Sequence, residues 1–185
     1  HELPPLIHKA RDRMIDVHHT ILPRTHRVTP DALAMIGDAV LADGGFAVLC
    51  PTDMACHCAA HLLADGDLQG GLRNLWDFHC LTRDFAAADA GFWGELDARA
   101  ALHGLRAPVQ RAARLARDLY GAALPPGWKR RESRDGWFVR RSLARDDWGR
   151  PTHFALQQAF YIRSHWLRMP PVMLAKHLWT KWRKG

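Results

Sequence analysis

The amino-acid sequence predicts a mainly α protein (α+β), in which an N-terminal β-hairpin is followed by a helical bundle. Short extended runs at 6–8 and 13–19 flank a tight polar turn, which is typical of a hairpin. Most later segments carry apolar residues at helical spacing between capping residues, glycines and prolines. The 185-residue chain is 48% hydrophobic and 24% charged, which is enough apolar material for one core.

A hairpin alone cannot bury a core, so we expect this one to lie against the helices or against protein that precedes residue 1. In the first helix we predict Thr29 as the cap, Gly44 as the stop and a buried stripe of Leu33, Ile36, Val40 and Leu41. Thr52 or Asp53 is expected to cap the second helix. The predicted helices span 29–43, 52–64, 72–87, 89–104, 108–120, 152–168 and 172–184, with extended runs at 46–49 and 136–140.

The order of these elements predicts four regions. The hairpin region covers 1–28, a helical domain 29–125, and a long loop rich in glycine, proline and charge 126–151. A C-terminal helical pair, 152–185, is expected to pack on the same domain. Its two helices are separated at Pro170 and Pro171, whose rings and missing N–H groups interrupt a helix.

The chain has 26 Lys and Arg against 19 Asp and Glu, a net charge of +7 that is concentrated after residue 125. Such a surplus favours anions, although a solvated basic face is the simpler explanation. The longest apolar runs fall far short of the roughly 20 residues needed to cross a bilayer. Four cysteines without a Cys-x-x-Cys pair predict reduced thiols. We therefore expect no transmembrane segment and a cytoplasmic location.

Two helices carry a predicted polar cluster of His57, His61, Arg73 and Asp77. The two histidines stand at i and i+4, the spacing at which two imidazoles bind one zinc ion. The zinc-protease pattern, however, requires Glu where this chain has Cys58. Buried or capping histidines and a functional polar cluster are the alternatives. An antiparallel helix pair would bring His61 against Asp77, which we expect to be buried and to orient the imidazole.

The terminal helix is basic, aromatic and loosely amphipathic, with Trp179 and Trp182 between lysines. A helix of this kind rests on a membrane surface or an RNA backbone, or packs its tryptophans against its own domain. We favour the docked helix over nucleic acid as a partner. The candidate anion-binding residues are Arg163, Arg168, Lys176 and Lys181.

Five short motifs occur in order along the chain: His1-x-x-Pro-Pro-Leu6, Ile15-Asp-Val-His18, Pro51-Thr-Asp-Met-x-x-His57-x-x-x-His61, Arg73-Asn-Leu-Trp-Asp77 and Arg163-Ser-His-Trp-Leu-Arg-Met-Pro-Pro171. Together they resemble the family of uncharacterised bacterial nucleotidyltransferases. The resemblance implies that the hairpin comes from a nucleotidyltransferase-type core. It also implies transfer of a nucleotidyl group from a nucleoside triphosphate, bound with Mg²⁺ or Mn²⁺, to an unknown acceptor.

Enzymes of this kind hold the triphosphate with a Gly-Gly or Gly-Ser turn and the metal with an Asp-x-Asp pair and a third carboxylate. Clustered acids are needed because the ions neutralise the phosphates and activate the attacking oxygen. By resemblance, Asp16 takes the place of the third carboxylate, as metal ligand and catalytic residue, with His18 beside it. The stretches after Gly45 and Gly71 lack the paired acids.

The missing pair predicts that an N-terminal segment or a second chain completes the fold, and that this chain alone is inactive. The alternative is a catalytically silent binding module of the same ancestry. Such a module would use its helical bundle and basic tail to hold a peptide, a nucleic acid or another protein.

Overall fold

The computed structural model describes residues 6–15 and 17–184, without the side chains at positions 65 and 184. Helices make up most of this part of the chain, and the strands form two short antiparallel hairpins. The prediction of a mainly α fold with an N-terminal β-hairpin is confirmed.

The first hairpin joins β1 (Leu6–His8) to β2 (Arg13–Ile15), and the second joins β3 (Val40–Leu41) to β4 (Ala47–Val48). The helices are α1 (Ala32–Gly37), α2 (Pro51–Ala59), α3 (Gly71–Ala88), α4 (Phe92–Leu102), α5 (Arg106–Tyr120), α6 (Asp135–Leu143), α7 (Phe154–Arg168) and α8 (Pro171–Lys184). A π-helical segment, Ala60–Asp65, continues α2, and a 3₁₀ turn, Pro126–Trp128, precedes α6.

The first hairpin stands on the surface. Its register pairs Leu6 with Ile15 and Ile7 with Met14, and each of these four side chains is at least 60% exposed. The hairpin therefore does not bury its apolar residues against the helices of the described chain. The expectation that the hairpin lies against the helices is therefore wrong.

The first helix differs from its prediction at both ends. Asp31, not Thr29, is the cap, because its carboxylate accepts a hydrogen bond from the Ala34 N–H at 3.0 Å. The helix stops at Gly37, and Gly44 adopts a positive φ in the turn of the second hairpin. The predicted buried stripe is also wrong, because the residues expected to form it are exposed. The residue of α1 that is buried is Met35.

The core lies where α2 and its π-helical continuation pack between α3, α4 and α5. Its largest fully buried side chains include Phe78 of α3 and Phe92 of α4. Helix α4 buries Phe92, Leu96 and Ala100 at i, i+4 and i+8, as their spacing predicts. Burying side chains of this size contributes about 1.5 to 3 kcal/mol each.

The segment predicted as a long loop contains α6, so the predicted extended run at 136–140 is wrong. Phe138 of this helix meets the ring of Phe160 on α7 edge-on, with the centroids 5.1 Å apart. Asp135, in the first turn, is fully buried and accepts hydrogen bonds from Arg111 and Arg114. These tertiary contacts stabilise a helix that the local sequence does not predict, because Gly136 interrupts its helical pattern.

The last helix packs on α7 through one narrow stripe. Leu174 is buried, and the Tyr161 hydroxyl lies 2.8 Å from Nε2 of His177. Trp179 and Trp182 are 58% and 72% exposed, so the prediction that they pack into the domain is wrong. The stripe that faces α7 leaves both indoles on other sides of the helix. Within the described residues, none of the helices has the length and apolar character that spanning a membrane requires.

Candidate functional site: a histidine-lined pocket

A pocket of about 420 Å³ opens between the segment after the first hairpin, α1 and α2. It brings together residues that are distant in the sequence: His18 and His19 from the segment, Met35 and Ile36 from α1, and His57 from α2. The complete lining is His18, His19, Thr20, Ile21, Ala32, Met35, Ile36, Leu49, His57 and His61. We call it the histidine pocket.

His57 and His61 lie side by side, as their spacing on one helix predicts. Their ring centroids are 4.5 Å apart, with the ring planes tilted by 60°. Burial lowers the pKa of His57, and the neighbouring His61 and His18 lower it further. His57 is therefore neutral near pH 7, and a neutral imidazole accepts a hydrogen bond or a proton.

The approach of His18 to this pair was not predicted. No rule of local spacing connects the segment after a hairpin with a helix some forty residues later. In the described part of the chain, no three His, Cys, Asp or Glu side chains are grouped so as to hold a metal ion.

Asp16, the predicted catalytic carboxylate and metal ligand, lies outside the described residues. In the sequence it follows β2 directly and is separated from His18 by one residue. Its proposed role therefore rests on the family resemblance and on this sequence position.

The other half of the predicted polar cluster, Arg73 and Asp77, does not line this pocket. Arg73 and Asp77 are both exposed on α3, so the expected burial of Asp77 is wrong. The buried face of α3 includes Leu75 and Phe78, and one residue of helix turns Asp77 by about 100° away from Phe78. Burial raises the pKa of the Cys58 thiol to about 11, and the charge of Asp77 contributes to this rise.

A buried ionic network that the sequence did not indicate lies behind the histidine pocket. Asp53, expected as a helix cap, is fully buried instead. Its carboxylate accepts hydrogen bonds from Arg99 Nε at 2.7 Å and Nη2 at 2.6 Å. His103 Nε2 lies 3.1 Å from the same carboxylate. Since the Asp31 N–H donates to Nδ1 of His103, the proton of this imidazole sits on Nε2 and points at Asp53.

The same network attaches α1 to the core. Arg99 also donates to the Ala34 carbonyl oxygen at 3.0 Å and pairs with Asp38 at 2.6 Å. Burial raises the pKa of Asp53, but the hydrogen bonds and charge of Arg99 outweigh burial and hold this pKa below its usual value. The network thereby holds one wall of the histidine pocket in place.

The four candidate anion-binding residues make different contacts. Arg163 is partly buried and donates to the Leu63 carbonyl oxygen at 2.6 Å. Arg168 donates to the Ser164 hydroxyl, and the Lys181 ammonium stands 4.0 Å from the centre of the Tyr161 ring. Lys176 is exposed on α8.

The chain was compared with protein families, curated proteins and solved structures. A family model described as uncharacterised nucleotidyltransferase matches residues 3–121. The match includes both hairpins, the histidine pocket and α1 to α5, and it ends before α6. No curated protein and no solved structure matches the chain.

Proposed function

Because the chain belongs to the uncharacterised nucleotidyltransferase family, we propose that, together with a segment or chain that supplies the paired acids, it transfers a nucleotidyl group from a nucleoside triphosphate to an acceptor. The observation that carries this proposal is the family match over residues 3–121, which agrees with the resemblance drawn from the sequence motifs. The matched region contains the hairpin, Asp16 and the histidine pocket, which are the features that the proposal uses.

In this proposal the carboxylate of Asp16 is one ligand of a Mg²⁺ or Mn²⁺ ion. A divalent ion offsets the negative charge of the triphosphate. The residues of the described chain supply no cluster of metal ligands. Further ligands are therefore not assigned, and no chemical step is derived through the ion.

The histidine pocket is proposed to receive the acceptor. Its volume of about 420 Å³ falls within the range of small-molecule sites. Neutral His57 is suited to accept the proton of an acceptor hydroxyl, and His18, two positions after Asp16 in the sequence, also lines the pocket. Ile21, Met35 and Leu49 supply apolar contact.

Substitution of Asp16 by asparagine tests the proposal. Each of the four α-labelled nucleoside triphosphates is incubated with the protein, Mg²⁺ or Mn²⁺, and a small-molecule cell extract, and labelled products are separated by chromatography. We expect no labelled product from this chain alone. With the paired acids supplied, we expect metal-dependent products that Asp16→Asn abolishes, because the neutral amide cannot offset the metal charge. Asp12→Asn is the matched control, since Asp12 is exposed in the turn of the same hairpin. Full transfer by Asp16→Asn would contradict the assigned role.

A second candidate function is a catalytically silent module that holds a peptide, a nucleic acid or another protein. The observation that favours it is the exposure of Trp179 and Trp182 on the basic helix α8. Partner binding that survives Asp16→Asn and disappears when α8 is removed would favour the module. Label transfer that depends on Asp16 would favour the enzyme.

A further inference from the structure

Three neighbouring cavities that share lining residues follow one another along α6. The first, about 650 Å³, lies beside the segment 127–134, and the second, about 690 Å³, lies between α6 and α7. They share Arg111 and Arg134. The third, about 610 Å³, shares Trp137 and Ala159 with the second and reaches the start of α7. We call the three together the α6 groove.

The groove carries positive charge that the described carboxylates do not neutralise. The two acidic residues at its first cavity are already paired, since Glu132 and Asp135 both bind Arg111 and Arg114. Four further arginines of the lining have no carboxylate partner among the described residues: Arg130, Arg134, Arg140 and Arg163. Residues 129–150 contain eight Lys and Arg but four Asp and Glu. This combination attracts a polyanion.

Arg163 provides an independent indication of an anionic ligand. Its Nη2 donates to the Leu63 carbonyl oxygen, but its Nη1 is buried and has no hydrogen-bond partner in the part of the chain that the structure describes. Burial, together with the charge of Arg111, lowers the pKa of Arg163 to about 10, so the side chain is still charged at pH 7. A buried cationic donor without a partner is unfavourable, and a ligand oxygen would relieve it.

Aromatic side chains alternate with these arginines. Trp137 of α6 and Trp166 of α7 line the second cavity and are 61% and 45% exposed. The guanidinium of Arg27 lies 4.1 Å from the centre of the Trp166 ring. Phe154, 73% exposed, lines the third cavity. Exposed ring faces between cationic side chains are the arrangement on which unpaired bases stack while phosphates meet the cations.

We propose that the α6 groove binds single-stranded nucleic acid. The phosphates contact the four arginines that lack a described carboxylate partner. The bases stack first on Trp137 and then on the face of Trp166 opposite Arg27, which already covers one face of that ring. A duplex hides its base faces, and an acidic peptide brings charge without the planar rings that the two exposed indoles would receive. The inference goes beyond the proposed nucleotidyl transfer, because binding in this groove requires neither Asp16 nor a nucleoside triphosphate.

The test measures fluorescence anisotropy of labelled oligouridine and oligothymidine of about 12 nucleotides with the full chain, and of a duplex of equal length. We expect saturable binding of a single strand that weakens steeply between about 50 and 200 mM salt. Trp137→Leu should weaken it about 5- to 150-fold, the range for one lost stack. The double substitution Arg134→Gln and Arg140→Gln should lower the salt slope by about 1.4, at about 0.7 per lost phosphate contact.

Two control variants lie outside the groove lining. Trp76→Leu removes an indole that is 48% exposed on α3, and Arg83→Gln removes an exposed charge near the end of the same helix. Neither should change the affinity. Arg134 and Arg140 are exposed and have no salt-bridge partner within residues 6–15 and 17–184, so their double variant is expected to fold, and circular dichroism checks each protein. Tighter binding of oligouridine would indicate RNA as the ligand, and tighter binding of oligothymidine would indicate DNA. Both results support the proposal.

The proposal is overturned if neither single strand binds at the lowest salt, or if the duplex binds equally well and Trp137→Leu has no effect. It is also overturned if the α3 controls weaken binding as much as the groove variants do. Binding that is lost on removing residues 171–185 but unchanged by the groove substitutions would place the site on α8 instead. That result, too, would overturn it.

Discussion

Substitution of Asp53 by asparagine should destabilise the protein strongly, although the two side chains have nearly the same size. The carboxylate is fully buried and receives two hydrogen bonds from Arg99 and one from His103. The amide removes the negative charge and turns a donor toward these donors. Arg99, whose side chain is 15% exposed, then keeps the exposed Asp38 as its remaining carboxylate partner.

The expected cost follows from these contacts. Breaking a buried ion pair by removing one partner costs about 3 to 5 kcal/mol. Because Asp38 still pairs with Arg99, we take the lower end, about 3 kcal/mol. For a domain of this size each kcal/mol shifts the melting temperature by about 2 to 4 °C. Asp53→Asn should therefore lower the melting temperature by about 6 to 12 °C.

Thermal unfolding followed by circular dichroism measures this shift, and Asp97→Asn is the matched control. Asp97 pairs with Arg106 at 2.6 Å, but the two side chains are 29% and 54% exposed. Exposed pairs contribute about 0 to 1 kcal/mol, so the control should shift the melting temperature by less than about 4 °C. Equal shifts for the two variants would refute the claim that the buried network stabilises the fold.

The network also predicts a pH dependence. The pKa of Asp53 is held below its model-peptide value of 3.8, so the unfolded chain takes up the proton more readily than the folded protein. The stabilisation by the carboxylate is thus fully present above pH 3.8 and is lost as the pH falls through the folded pKa. The difference in the free energy of unfolding between the wild type and Asp53→Asn should stay constant from neutral pH to about pH 5 and narrow in stronger acid.

Three further substitutions test other parts of the structure. Asp77→Ala should change the free energy of unfolding by at most about 0.5 kcal/mol in urea titrations, because Asp77 is exposed. A larger loss would show that Asp77 is a buried polar partner after all. Trp179→Ala should cost less than the about 3 to 5 kcal/mol of a buried tryptophan, since its side chain is 58% exposed; a full-sized loss in the same assay would show that it packs. The lowered pKa of His57 means that the unfolded chain binds its proton first, so stability should fall as the pH drops below 6.5. His57→Gln should reduce this loss of stability at low pH. A pH profile of stability that His57→Gln leaves unchanged would contradict the lowered pKa of His57.

Local signals determined most of the helices. Helix α8 begins at Pro171, because proline fits the first turn of a helix but not its interior. The predicted fourth helix, 89–104, is present as α4, although its cap is Gly91; Asp89, the predicted start, accepts a hydrogen bond from the Gly91 N–H in the turn before the helix. Gly121, in the left-handed conformation, ends α5. The contact between His57 and His61 likewise follows from helical spacing.

The tertiary structure decided what local spacing leaves ambiguous. Residues 38–48 contain apolar side chains that suit a helix or a strand, and the fold ends α1 at Gly37 and forms a hairpin. Helix α6 depends on Arg111 and Arg114, more than twenty residues away, which neutralise Asp135 at its start.

The candidate sites depend on the same kind of distant contact. His18 meets His57 across an entire helix and hairpin, and Asp53 finds Arg99 at a separation of 46 residues. The indoles of Trp137 and Trp166 come to one groove because α6 and α7 pack together. A sequence fixes which groups repeat along one helix, because that geometry is local. Which groups meet between helices depends on how the whole core packs.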